Sequence, residues 1–246
     1  MKIVNLIVLF LIISCSSVPP QNQREFQLNS YLWYQTSGEF RALCYQAYNL
    51  ARMRLDQNLL IKSVKPKAVI FDIDETVLDN SASGAYELKN NLAWSKDRFN
   101  QWVTKASAPE IAGATEFINY AKSKNVKVIF VTNRFDFQIL DTIKNFKSLG
   151  IKALPEDFYP LKNKWGKEER RIEIQKHYEV VLYLGDNLHD FHKDWDSVSS
   201  LERRKRVDQH SSDFGSKFII LPNPLYGDWE SSLPKNVDRL NLLKID

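Results

Sequence analysis

Two aspartates, Asp72 and Asp74, stand one residue apart at the end of an apolar run that begins at Val69. Such a run is typical of a strand buried on both faces, whose polar chemistry lies at its carboxyl end. One carboxylate can then act as a nucleophile while the other exchanges a proton with a leaving group. Clustered carboxylates repel each other unless a cation neutralises them, and hard oxygen ligands favour Mg²⁺. The alternative is an acidic turn that caps the next helix, with Thr76 as an ordinary cap residue.

Polar residues follow two further apolar runs. Thr132 and Asn133 come directly after residues 126–131, and Asp186 comes soon after residues 180–184. In a parallel sheet the carboxyl ends of such strands converge on one edge. Thr132 and neighbouring amides could bind phosphate oxygens there, and Asp186 could complete a Mg²⁺ site with Asp72. Each of these groups could also form an ordinary turn or helix cap, but their order after successive buried strands favours a shared site.

The elements that position these side chains alternate along the chain. Apolar residues spaced every four positions from Leu43 to Leu59 predict an amphipathic helix that faces a core. Strands are expected at 68–73, 126–131, 180–184 and 217–221, and helices at 109–123, 137–149 and 168–177. Residues 81–108 are expected to be helical and irregular. The alternation predicts an α/β fold, namely a Rossmann-like parallel sheet flanked by helices, with a small helical accessory region.

Length and composition describe an ordinary globular protein. The 246 residues suit one α/β domain with a sizeable core, and 43% of them are hydrophobic. The formal net charge of +4 does not indicate a nucleic acid polymer as a partner. The oligomeric state stays open, a homodimer included.

The first residues predict export from the cytoplasm. Lys2 precedes an apolar run at 6–13 that is too short to span a bilayer but suits a signal peptide. Residues 12–15 resemble a bacterial lipobox, which implies that Cys15 is acylated and becomes the new N-terminus. We therefore expect a lipoprotein signal peptide at 1–14, a polar tether at 15–24 and the folded domain at 25–246, with a lipid anchor in the membrane. A plain cleaved signal peptide with an incidental cysteine is the alternative.

The chain resembles the haloacid dehalogenase superfamily of phosphohydrolases, and within it the class C acid phosphatases, bacterial lipoproteins that include an outer-membrane 5′-nucleotidase. The matching segments are 37–51, 71–81, 131–134, 185–191 and 223–230, and they are distributed along nearly the whole mature chain. The resemblance implies a haloacid dehalogenase-like core, a Mg²⁺-dependent phosphomonoesterase activity and a location in the bacterial cell envelope, as an outer membrane lipoprotein facing the periplasm or the surface.

The resemblance also implies roles for the acidic residues. Asp72 would attack phosphorus to give an aspartyl-phosphate, and Asp74 would protonate the leaving group and later activate water. Mg²⁺ would be held by the Asp72 carboxylate, the main-chain carbonyl of Asp74 and Asp186, with Asp190 nearby.

Other positions would bind the substrate. Thr132 and Asn133 would bind the transferred phosphoryl group, and Lys167 would offset its charge and that of Asp72. Residues 165–166 are Trp-Gly where the family usually has serine and a small polar residue, so a solvated lysine at a helix start is the alternative for Lys167. Phe99 and Tyr226 match the aromatic pair that sandwiches the base in nucleotidase relatives, where the first is commonly tryptophan. Both could instead be ordinary packed aromatics.

The expected function is therefore hydrolysis of small phosphate monoesters such as nucleoside monophosphates. One alternative is a surface lipoprotein that binds a ligand such as a nucleotide or haem on the same fold. The retained Asp72, Asp74, Thr132 and Asp186 argue against it, because a binding protein does not need a nucleophile. The other alternative is a broad-specificity enzyme or phosphotransferase, which the sequence does not separate from a hydrolase.

Overall fold

The computed structural model describes residues 23–162 and 166–245. Its helices are α1 Gln23–Thr36, α2 Gly38–Leu59, α3 Ser81–Lys89, α4 Lys96–Thr104, α5 Ala114–Ser123, α6 Ile139–Ser148, α7 Glu168–His177, α8 Ser200–Gln209 and α9 Asp228–Ser231. Its strands are β1 Lys67–Phe71, β2 Lys127–Phe135, β3 Phe158–Leu161, β4 Glu179–Gly185 and β5 Phe218–Ile220. The predicted signal peptide, most of the tether and Cys15 lie outside the described residues.

The strands form one parallel sheet in the order β3-β2-β1-β4-β5. The chain builds outward from β1 through β2 to β3, and then returns to the other side of β1 for β4 and β5. This reversal creates a topological switch point between β1 and β4, where ligands bind in open α/β sheets. The predicted parallel sheet flanked by helices is confirmed.

Strand β1 is buried on both faces because helices cover the sheet from both sides. Val69 and Phe71 pack in the larger core cluster, whereas Ala68 and Ile70 pack in the cluster on the other face. This alternation follows from the two-residue period of a strand. It explains why the segment is continuously apolar and why its first polar side chains appear only beyond its carboxyl end.

Several predicted boundaries were wrong. Strand β1 ends at Phe71, two residues earlier than expected, and β2 continues four residues beyond its predicted end at residue 131, to Phe135. The expected helix at 109–123 begins only at Ala114, after Gly113 adopts a left-handed φ of 94°. Residues 136–138 form a 3₁₀ turn before α6.

The edge strand β3 was not predicted. It has four residues and contains Pro160, and proline lacks the amide needed for a second ladder, so the segment lacks the signature of a central strand. Among the described residues, its assignment as a strand rests on its pairing with β2.

Residues 81–104 form the small helical accessory region that was expected, as α3 and α4. Helix α3 packs against α1, and α4 packs against α6. Within 23–162 and 166–245, none of the helices combines the length and the apolar character that a bilayer crossing requires.

Candidate active site

The candidate site lies at the carboxyl edge of β1, β2 and β4. Asp72 directly follows β1, and its amide donates to the Leu184 carbonyl on β4 at 2.9 Å. Thr132 lies near the end of β2, and Asp186 follows the last residue of β4. The structure therefore brings together the three polar strand ends identified in the sequence.

A tight turn after Ile73 holds the aspartate pair in place. The amides of Val77 and Leu78 both donate to the Ile73 carbonyl, at 2.8 and 2.9 Å, and Glu75 adopts a left-handed φ of 58°. Such a conformation costs about 1–3 kcal/mol for a residue other than glycine, so the surrounding contacts must offset it. One of those contacts is the bond from the Tyr48 hydroxyl of α2 to the Thr76 carbonyl, at 2.7 Å.

Lys167 lies between two carboxylates at the start of α7. Its ammonium group contacts Asp72 Oδ1 and lies 2.6 Å from Asp190 Oδ1, and the residue is only 2% exposed. Burial lowers the pKa of Lys167, but the negative charges of Asp190 and Asp72 outweigh this effect and raise it above its usual value. The alternative of a solvated lysine is therefore wrong.

Three carboxylates form a cluster that suits a divalent cation. Oxygen atoms of Asp72, Asp186 and Asp190 lie within 4.8 Å of one another, and this is the only such cluster of three acidic, histidine or cysteine ligands in the part of the chain that the structure describes. Burial raises the pKa of Asp72 to about 6, despite the opposing charge of Lys167. Burial and the negative charge of Asp190 raise that of Asp186 well above its usual value. One ammonium cannot neutralise three carboxylates, so a hard cation fits this donor set.

Neighbouring side chains orient the cluster. Asp186 accepts hydrogen bonds from the Thr76 hydroxyl at 3.2 Å and from the Asn223 amide at 2.8 Å. Asp190 accepts from the Asn187 amide at 2.9 Å. Gly185 is required beside it, because an added Cβ would lie 2.4 Å from the Asp190 side chain. Burial raises the pKa of Asp190, but its interactions with Lys167 and His189 outweigh this effect and hold the pKa below its usual value.

The end of β2 is fastened to α7 by Arg170. This guanidinium donates to the Thr132 carbonyl at 2.5 Å, the Tyr159 carbonyl at 3.1 Å and the Asn133 side-chain oxygen at 2.8 Å. Because the side-chain oxygen of Asn133 already accepts this hydrogen bond, its side-chain nitrogen is the group that can donate to an anion. Thr132 is fully buried, and its hydroxyl accepts the amide of Arg134 at 3.0 Å.

Asp74 is held by residues that the sequence analysis missed. Arg134 and Asn80 donate to its Oδ1 atom, each at 2.8 Å at the closest approach. Arg134 has a recognisable signal, because it lies two residues after Thr132 and therefore on the same face of the strand. Asn80 has no such signal. Arg170 belongs to a charged run that reads as a solvated helix face.

The two aromatic residues lie near different parts of the site. Phe99 is on α4, with its ring centroid 5.9 Å from the guanidinium carbon of Arg134. Tyr226 lies in the segment after β5, is 43% exposed, and accepts the Trp229 indole through its carbonyl at 3.1 Å. Among the ring contacts between described residues, none joins Phe99 to Tyr226.

Comparisons with known proteins agree with this geometry. The sequence model of a family described as HAD superfamily, subfamily IIIB (Acid phosphatase) matches residues 13–229. The chain is 37% identical to the class C acid phosphatase from Bacillus anthracis, with a TM-score of 0.85, over 91% of this chain and 98% of that one. A second structure of that enzyme, with tungstate bound, has the same identity and coverage and a TM-score of 0.86.

Proposed function

Because the chain belongs to the acid phosphatases of subfamily IIIB of the HAD superfamily, and is therefore a phosphomonoesterase, we propose that Asp72 is its nucleophile and Asp74 its general acid and base. The observation that carries this proposal is the position of Asp72 at the switch point of the sheet, in contact with Lys167 and within the carboxylate cluster. Lys167 offsets the negative charge that otherwise opposes attack on an anionic phosphate.

The reaction proceeds in two displacements. A carboxylate oxygen of Asp72 bonds to phosphorus as the bond from phosphorus to the ester oxygen breaks, and Asp74 gives its proton to that departing oxygen, which leaves as an alcohol. Water then attacks phosphorus and gives a proton to Asp74, the bond to Asp72 breaks, and orthophosphate leaves. Asp74 is suited to both transfers because it is more exposed than Asp72, with 19% of its side chain accessible against 9%.

The cation and the phosphate have separate binding groups. We propose that Asp72, Asp186 and the main-chain carbonyl of Asp74 hold Mg²⁺, with Asp190 nearby, and that the ion supplies charge neutralisation for the phosphoryl oxygens. Thr132 and the Asn133 amide bind the transferred phosphoryl group. The similar protein that was solved with tungstate bound supports an oxyanion site, since tungstate is a tetrahedral oxyanion like phosphate.

Substitution of the nucleophile tests the mechanism. Asp72→Asn should lower kcat by at least about a thousandfold on every phosphate monoester, because the neutral amide cannot form the acyl phosphate. Asp79→Asn is the matched control, since Asp79 lies in the same loop and its side chain, among the described residues, accepts a hydrogen bond only from the Ser81 amide, at 2.8 Å. Wild-type protein quenched in acid should carry label from a ³²P ester, and the variant should not. Near-normal turnover by Asp72→Asn contradicts the proposal.

We propose nucleoside 5′-monophosphates or similar small monoesters as substrates. Phe99 lies beside the Arg134–Asp74 pair, which places an aromatic face near the leaving group, and Tyr226 shares a segment with Asn223, which holds Asp186. A broad-specificity phosphotransferase remains the second candidate, and a panel of esters assayed with and without an alcohol acceptor separates the two. A pure ligand-binding role does not agree with membership of the phosphatase family.

We also propose that Cys15 is lipidated and anchors the enzyme in the bacterial envelope, as an outer membrane lipoprotein. Its support is the lipobox-like sequence at residues 12–15, ahead of a polar segment. Cys15→Ser should move the protein from the membrane fraction to the soluble fraction and remove fatty-acid labelling, whereas Ser16→Ala should not. Unchanged membrane retention and labelling in Cys15→Ser would contradict lipidation.

A further inference from the structure

Arg134 is a buried cation for which the mechanism above assigns no role. It is 2% exposed, and its side-chain partners are Asp74 and Asn80 in the segment between β1 and α3 and Thr142 on α6. Burying a guanidinium is costly unless its donors are matched, so the position of this residue calls for a physical reason. The reason lies in how it contacts Asp74.

All the donors to Asp74 converge on one oxygen. Arg134 donates to Oδ1 from Nε at 3.0 Å and from Nη2 at 2.8 Å, and Asn80 donates to the same atom at 2.8 Å. Among residues 23–162 and 166–245, none donates a hydrogen bond to Oδ2. The Asp74 side chain is 19% accessible. Its Oδ1 atom is held by the protein, and its Oδ2 atom is therefore the one available to a substrate.

The two donors are themselves fixed. Arg134 Nη1 donates to the Thr142 hydroxyl of α6 at 2.9 Å, and that hydroxyl donates to the Gln138 carbonyl at 2.8 Å. The side-chain oxygen of Asn80 accepts the Trp102 indole of α4 at 2.8 Å. The accessory helix α4, the strand β2 and the helix α6 therefore all contribute to the orientation of one carboxyl group.

We propose that Arg134 is the positioning residue for proton transfer to the leaving group. Together with Asn80 it holds Oδ1 of Asp74 so that Oδ2 faces the departing ester oxygen. Its guanidinium carbon also lies 5.9 Å from the centroid of the Phe99 ring, so the same cation fixes the acid relative to the wall beside the leaving group. A general acid must lie about 2.6–3.2 Å from the oxygen that it protonates, and a freely rotating carboxyl group meets this requirement only part of the time.

This inference deepens the proposed function and rests on it, and the dependence on leaving-group basicity tests it. Esters of acidic phenols need little protonation of the leaving group, whereas esters of simple alcohols need it most. In Arg134→Gln, kcat/KM should fall less than about tenfold for 4-nitrophenyl phosphate but about a hundredfold or more for an alkyl phosphate. Arg134→Lys should recover part of the loss on the alkyl ester, because it keeps the cation but not the paired donors.

Two further variants make the test specific. Lys127→Met removes a cation at the opposite end of the same strand, where it pairs with Asp157, and should leave the dependence on the leaving group unchanged. Thr142→Val removes the outer contact of Arg134, together with the hydrogen bond from Thr142 to the Gln138 carbonyl, and should shift the dependence in the same direction by a few-fold. Thr142→Val gives the answer if the Arg134 variants do not fold, as judged by thermal unfolding.

Asp74→Asn separates a failure of this inference from a failure of the proposed function. It should reproduce the selective loss on alkyl esters if Asp74 is the acid. Selective loss in Asp74→Asn, with a uniform loss or none in the Arg134 and Thr142 variants, overturns the positioning role and leaves Arg134 as a structural ion pair. A uniform loss in Asp74→Asn overturns the role of Asp74 as acid and the inference with it.

Discussion

At Asp72, burial and a neighbouring cation act in opposite directions. Desolvation raises the pKa of this carboxyl to about 6, while Lys167 lowers it. The proposed nucleophile must be ionised to react, and the buried ammonium of Lys167 favours this ionised form of Asp72. The same side chain also contacts Asp190, which places one cation between two of the three clustered carboxylates.

At the residue scale, Phe99 provides a test of substrate preference. Phe99→Leu should raise KM for nucleoside 5′-monophosphates about two- to tenfold, since a stacking contact contributes about 0.5–1.5 kcal/mol beyond area burial. It should leave KM for glycerol phosphate unchanged because that ester has no base. Phe137→Leu is the matched control, because this exposed ring stacks on Phe135. An effect of Phe137→Leu in place of Phe99→Leu would assign the contact with the base to Phe137 and contradict the role of Phe99.

At the scale of elements, the site depends on how β2 is joined to α7. Thr132 and Asn133 are on the strand, and Lys167 is at the start of the helix, so the proposed phosphate binding and nucleophile activation require a fixed distance between the two elements. Arg170 crosses this gap with donors to both residues of the strand. Its burial lowers its pKa to about 10, which still leaves it a cation near neutral pH.

Substitution of Arg170 should therefore weaken phosphate binding more than it destabilises the fold. Arg170→Leu should raise the inhibition constant for inorganic phosphate and lower kcat/KM by roughly 10²-fold, as expected for groups displaced by about 1 Å. Lys176→Met is the control on the same helix, because among the described residues Lys176 makes only an exposed ion pair with Glu173. This substitution should change the free energy of unfolding by less than about 1 kcal/mol. Unchanged phosphate inhibition in Arg170→Leu would show that the strand end holds its position without it.

At the scale of the whole molecule, the carboxylates that suit a cation come from opposite halves of the chain. Asp72 follows β1, and Asp186 and Asp190 follow β4, so the cluster exists only when these strands are adjacent in the sheet. Without a cation, their mutual repulsion destabilises the folded state relative to the unfolded chain, in which Asp72 is far from the other two.

Removal of divalent cations should therefore affect stability as well as turnover. Chelation followed by dialysis should abolish activity, and added Mg²⁺ should restore it. Mg²⁺ at a hundred times its Kd should stabilise the protein by about 2.7 kcal/mol, seen as a higher Tm. The Asp186→Asn variant should lose this increase in Tm when Mg²⁺ is added. A Tm that does not respond to Mg²⁺, with activity retained after chelation, would contradict the cation site.

The sequence alone predicted four of the five described strands, the three polar strand ends and their shared edge. These features follow from local patterns, because a fully buried strand must be continuously apolar and must place its polar groups at its end. The position of Lys167 was inferred only from the resemblance, since one lysine at a helix start has no distinctive spacing.

Only the tertiary structure decided which groups contact the reactive carboxylates. Lys167 and Asp72 are 95 residues apart in the chain, and Arg134 and Asp74 are 60 apart, so no local pattern predicts either contact. Strand β3 was missed for the same reason. Among the described strands it pairs with β2 alone, and this pairing joins segments that are distant in the sequence. The aspartate pair and its chemistry are encoded in a few consecutive residues, whereas their orientation and charge depend on side chains that packing brings together from distant segments.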